Sequence, residues 1–187
     1  MKNMLLLIVL IIVLLFYFVI DRPIGKTHIV RTSLDSRIPL IPAFSIPYLL
    51  FLPALLGTTL YAYISNTKFR FLAGSIIIVY LLSYIVFITY QTHVPRPKIT
   101  SHNFFTKFLE WIYEHDKPYN CFPSTHSSGA TVLAVYYLII NSSLGWLAVP
   151  LSLVIILSTL FVKQHYIPDA VSGVVLGIIV SLIIFKT

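Results

Sequence analysis

Six apolar runs dominate the chain, at residues 4–20, 45–64, 69–90, 126–140, 144–162 and 169–185. An α-helix needs about 20 residues to cross a bilayer, so the pattern predicts an all-α fold, an integral membrane bundle of six transmembrane helices. The first run follows Lys2 and stops at Asp21 and Arg22 with no small-residue cleavage site, and it is read as a retained helix and not a signal peptide. Pro150 interrupts the fifth run, but proline is tolerated inside a helical bundle. There is no internal repeat, and residues 1–187 are read as a single membrane domain.

The polar connections are unequal. Segments 21–44 and 91–125 are long, whereas those near 65–68 and 141–143 are very short. Threading six helices alternately through the bilayer places both long loops and the junction "VKQHYIPD" on one face, with the termini and short turns on the other. In the second long loop, "NFFTKFLEWIYEHD" carries Phe104, Phe105, Phe108, Trp111 and Ile112 at near-helical spacing, which predicts an interfacial helix serving as a membrane-edge anchor.

Composition agrees with this frame: 58% hydrophobic and 10% charged residues do not make a soluble surface. The net charge of +7 is scattered through loops without an aromatic-basic module, so the expected partners are a membrane and an anionic lipid, with no nucleic acid. The single Cys121 rules out an internal disulfide and a multi-cysteine metal site.

Three clusters meet on the long-loop face: "HVPRPK" (93–98), "CFPSTHSSG" (121–129) and "VKQHYIPDAVSG" (162–173). Ser124 or Thr125 is a natural N-cap for the helix running on from His126, and the open amides at such an end suit a phosphate. A phosphate bound there favours the protonated imidazole of His126, an acid. His165 and Asp169 are four residues apart, close enough for the carboxylate to take one ring N–H and turn the other nitrogen outward. Pro168 fits the first position of the last helix, and a simple capping turn would explain Asp169 but not His165. Lys163, Arg96 and Lys98 are placed to neutralise phosphoryl oxygens. Snorkelling suffices for Lys68, Arg70, Lys107 and Lys186, but explains this convergence less well.

On these residues, "RP" at 96–97, "PSTH" at 123–126 and "HYIPD" at 165–169, the chain resembles the type 2 phosphatidic acid phosphatase superfamily over about residues 75–180, the expected catalytic core. The resemblance implies that His165 is a nucleophile forming a phosphohistidine, that Asp169 orients it, and that His126 protonates the leaving oxygen. It implies phosphate binding by Arg96 and Ser124, with neither a metal nor another cofactor. The family usually carries a Lys where this chain has Thr89 and an Arg where it has Thr159; Lys163 and Lys98 are the expected substitutes, and Thr125 replaces a glycine. Lys163 is one helical turn from Thr159, so a cation at either position would reach the same phosphate. "CFPS.H" and "KQHY" are similar to the inositol phosphorylceramide synthase-like branch, whose members transfer a phosphorylated head group.

The expected function is therefore a metal-independent phosphatase of membrane lipid phosphates or diphosphates, with a lipid phosphotransferase as the alternative. A transporter or scaffold predicts polar residues near the midplane, not at one edge. Cys121 fails as a phosphatase nucleophile because the arginine of a C-x5-R loop would stand at Ser127. His93, His102 and His126 match no usual zinc spacing. Gly173 and Gly177 predict close helix packing. Cys121, three residues before Ser124, is expected to border the phosphate pocket and report on its occupancy. Cations number nine on the site face and four on the other, a count that favours a cytoplasmic site. Resemblance to bacterial members instead implies a plasma-membrane protein with an outward-facing site.

Overall fold

The computed structural model describes residues 2–100 and 103–186. The described residues form seven α-helices: α1 Lys2–Ile20, α2 Ser45–Ser65, α3 Phe69–Thr89, α4 Phe104–His115, α5 Thr125–Ile140, α6 Ser142–Phe161 and α7 Ile167–Lys186. There is no strand among them, only two isolated bridges, His28 with Thr92 and His93 with Tyr119. Five helices are long and apolar enough to cross a membrane, and the chain is an integral membrane protein. Helix α5 is the exception. Its 16 residues span about 24 Å at 1.5 Å per residue, short of the ~30 Å hydrocarbon core expected of the run at 126–140. The polar stretch at Ser124 starts it late, and Asn141, which accepts from the Leu144 amide, starts α6 directly behind it.

Helix α5 is the centre of the bundle and packs against α2, α3, α6 and α7, while α3 also meets α1 and α7. Its inner positions Ala130, Val132 and Tyr136 are fully buried, together with Leu55, Leu72, Ile76 and Phe87 from α2 and α3. Large apolar side chains such as Leu5, Ile64, Trp146 and Leu182 face outward, as lipid contact requires. Lipid gives helices no hydrophobic reason to associate, so close approach of backbones must hold them. Gly173 and Gly177 supply it: a Cβ at Gly173 would stand 2.9 Å from Ser127 Cβ, and one at Gly177 2.8 Å from the Ser128 carbonyl oxygen. The expected packing role of this glycine pair is thus observed, and it presses the start of α7 onto the start of α5.

The long loops are ordered by hydrogen bonds. His28 donates its amide to the Gln91 carbonyl at 2.9 Å and accepts from the His93 amide at 2.8 Å, while the Val94 amide reaches Pro118 O at 3.0 Å. A 3-10 turn follows at Ser33–Arg37, in which Asp35 accepts from both the amide and the hydroxyl of Thr32 at 2.6 and 2.8 Å. The other Asp35 oxygen accepts from the Ile167 amide at 2.7 Å and ties this loop to the first residue of α7. Helix α4 forms as the sequence predicts, capped by Asn103, but it divides its apolar residues. Ile112 and Leu109 turn inward onto Tyr48 and Val162, whereas Phe104, Phe105 and Trp111 are exposed.

Candidate active site

Two breaks in helical structure bring the candidate residues together. Before α5, Ser124 takes an extended conformation and its hydroxyl accepts from the Ser127 amide at 3.2 Å, making Ser124 the N-cap and Thr125 the first helical residue. After α6, the Thr159 carbonyl accepts from the amides of both Gln164 and His165, at 3.0 and 3.1 Å, and Lys163 adopts the left-handed conformation with φ 57°. The chain therefore leaves the helix before Lys163. The one-turn relation expected between Lys163 and Thr159 does not exist: Thr159 is buried with its hydroxyl on the Ile156 carbonyl, and Lys163 points its ammonium at the Ile38 carbonyl of the first loop. Burial pulls that ammonium below the usual lysine range, opposed by the Asp35 carboxylate.

The two breaks dock directly, because the Ser124 amide donates to the Asp169 carbonyl at 3.0 Å. That contact removes the Ser124 amide from the set open to a phosphate and leaves the first-turn amides of Thr125 and His126. It also sets the imidazoles of His126 and His165 opposite each other, ring centroids 6.1 Å apart and tilted by 58°. His165 Nδ1 stands 3.7 Å from an Asp169 carboxylate oxygen, within ion-pair distance but too long for a hydrogen bond. That oxygen accepts instead from the Tyr166 amide at 2.8 Å. His165 Nδ1 and the second Asp169 oxygen are buried without partners among the described residues. Pro168 is the second residue of α7, since Ile167 begins the helix.

Arg96 reaches this region from the loop after α3, but its guanidinium is largely engaged. It donates to the Tyr113 carbonyl at 2.6 Å, to the Asp116 carbonyl, and to the Gln164 side chain at 2.7 Å, and it lies over the Tyr113 ring. Its buried Nε has no partner among the described residues. Lys98 is exposed and does not join the cluster. Cys121 is 2% exposed with its thiol directed at the Pro118 and Tyr119 carbonyls, so it does not border an open pocket. Of the three histidines weighed for zinc, His102 lies outside the described residues, His93 pairs with Tyr119 and His126 faces His165.

Sequence reasoning missed four residues here. Tyr48 of α2 stacks on His126, with centroids 4.3 Å apart, and its hydroxyl donates a hydrogen bond to Asp116, which also accepts from Tyr17 at 3.1 Å. Gln164 pins Arg96, and Asp35 secures the start of α7. Each acts across 68 or more residues of sequence, so no local spacing signals it.

A stretch of 65 residues is 32% identical to undecaprenyl-diphosphatase BcrC of Bacillus subtilis (strain 168), covering 35% of this chain and 34% of that protein. The match thus spans about a third of that relative's length. No solved structure matches the chain. The model of the PAP2 superfamily matches residues 68–187, which contain "RP", "PSTH" and "HYIPD", and the chain belongs to that superfamily.

Proposed function

We propose that the protein is a phosphatase of membrane lipid phosphates or diphosphates that works through a phosphohistidine at His165. The opposition of His165 and His126 carries this reading. Nδ1 of His165 faces Asp169, which leaves Nε2 to attack phosphorus while Asp169 stabilises the cationic ring. As the phosphorus–oxygen bond to the leaving group breaks, His126 gives that oxygen its proton. Water then attacks the phosphohistidine, His126 takes a proton from it, and inorganic phosphate leaves. Charge on the phosphoryl oxygens is met by the amides of Thr125 and His126 at a helix N-terminus and by Arg96 and Lys163. Ser124 contributes as the cap that fixes this terminus. Lys98 would have to move to take part.

The substrate we favour is a polyprenyl diphosphate, the lipid class in the name of the Bacillus relative. Its tail would stay in the bilayer while its head enters between α5 and α7. In this reading α5 completes a six-span bundle as a short span, α4 lies at the interface on its exposed Phe104, Phe105 and Trp111, and the site faces outward.

Free phosphate release by purified protein, with EDTA present, should be assayed against polyprenyl diphosphate, phosphatidic acid and phosphatidylglycerol phosphate. Release from at least one of them without added metal is expected. Strict dependence on magnesium would defeat the histidine scheme. Transfer of a phosphorylated head group to a second lipid, in place of phosphate release, would make the protein a transferase.

A further inference from the structure

A cavity of about 720 Å³ is lined by residues from three separate segments of chain, among them Tyr166, the residue after His165. Arg96 and Lys163 are two of its walls, and the third cation is Arg31, from the loop between α1 and α2. Asp35 is the only acid in the wall, and its carboxylate is already committed to Thr32 and to the Ile167 amide. Three cations around one space repel each other unless an anion enters it. Arg31 forms no hydrogen bond or ion pair among the described residues, so its five donors are free for that anion.

The position of Arg31 is not that of a loose loop residue. Three residues before it, His28 is bridged to Gln91 and His93; immediately after it, Thr32 is bound to Asp35. Asp35 in turn holds Ile167, two residues from His165. The backbone on both sides of Arg31 is thus held, on one side to the loop after α3 and on the other, through Asp35, to the segment that carries the proposed nucleophile.

We propose that Arg31 is a substrate-binding residue that selects a diphosphate over a monophosphate, by holding phosphoryl oxygens in this cavity together with Lys163. The proposal rests on the phosphatase reading for its substrate, but binding can be tested apart from turnover. Arginine suits the task because its planar fork pairs two oxygens at once, which an isolated ammonium does not.

The test uses full-length His165→Ala protein in detergent, titrated calorimetrically with inorganic diphosphate and with orthophosphate. Diphosphate should bind at least about tenfold more tightly than orthophosphate, and adding Arg31→Gln should remove most of that preference. Arg31→Lys should restore part of the affinity, and Arg22→Gln, an exposed arginine of the same loop, should leave it unchanged. Equal diphosphate affinity with and without Arg31, or no diphosphate binding at all, would overturn the proposal. In otherwise wild-type protein, Arg31→Gln should raise KM for a polyprenyl diphosphate about tenfold with little change in kcat. A protein that binds diphosphate through Arg31 but releases phosphate from no lipid would sustain this inference and defeat the phosphatase reading.

Discussion

Tyr48 lies against His126 with ring planes 24° apart, and the same phenol donates to Asp116. One side chain therefore fixes the face of the proposed acid and links it to a carboxylate on another segment. Tyr48→Phe keeps the stacking and loses the hydrogen bond, an effect of about 1 kcal/mol, or less than roughly tenfold on kcat. Tyr48→Ala also opens a cavity among Leu109, Ile112 and Val162 and should cost roughly 3–5 kcal/mol of stability. If Tyr48 positions the acid, the kcat loss in Tyr48→Phe will be larger on alkyl phosphates than on nitrophenyl phosphate.

His126→Ala should follow the same leaving-group rule more strongly. General acid catalysis is worth roughly 10²- to 10⁴-fold, and that loss is expected on alkyl phosphates. A nitrophenolate leaves without a proton, so its hydrolysis should suffer far less. Equal losses on both substrates would remove His126 from the acid role.

Gly173→Ala tests how the two halves of the site are held together. The new methyl would collide with Ser127 Cβ and with the backbone at Ser124, so α7 must move off α5. Overpacking of this kind costs about 1–3 kcal/mol. Both the thermal midpoint in detergent and kcat should fall, because the Ser124 amide and the Asp169 carbonyl are parted. An unchanged midpoint would mean that the contact is not tight.

Local features of this site are legible in the sequence, and nonlocal ones are not. A serine before an apolar run signals the cap at Ser124, and the four-residue spacing of two glycines signals the face that α7 turns to α5. The helix at Phe104–His115 follows from its periodicity. By contrast, Arg96 looks like a free cation in "HVPRPK", yet carbonyls at 113 and 116 and the side chain of Gln164 occupy it. Lys163 looks helical until its backbone turns left-handed. The loop at 21–44 has no periodicity at all, and the importance of Asp35 emerges only from its bond to Ile167, 132 residues away.

Cys121 is a poor reporter, contrary to its promising place in the sequence. Burial pushes its thiol well above the usual cysteine range, helped by Asp169 and Asp116, so little reactive thiolate exists near neutral pH. Maleimide should label the native protein slowly and the denatured protein fully. Sidedness is better read from Lys26→Cys in a Cys121→Ala background, because residue 26 is exposed in the first long loop. An outward-facing site predicts labelling of intact cells by an impermeant maleimide. Labelling only after lysis would place the site in the cytoplasm.

The most direct test traps the covalent intermediate. Purified protein is mixed with substrate carrying a radiolabelled terminal phosphate, quenched in alkali within one turnover, and digested for peptide mapping. The proposed mechanism predicts a label that survives alkali, is lost in acid, maps to the peptide containing His165, and is absent from His165→Ala. A label on any other residue, or turnover in wild-type protein with no label trapped on the millisecond scale, would contradict it.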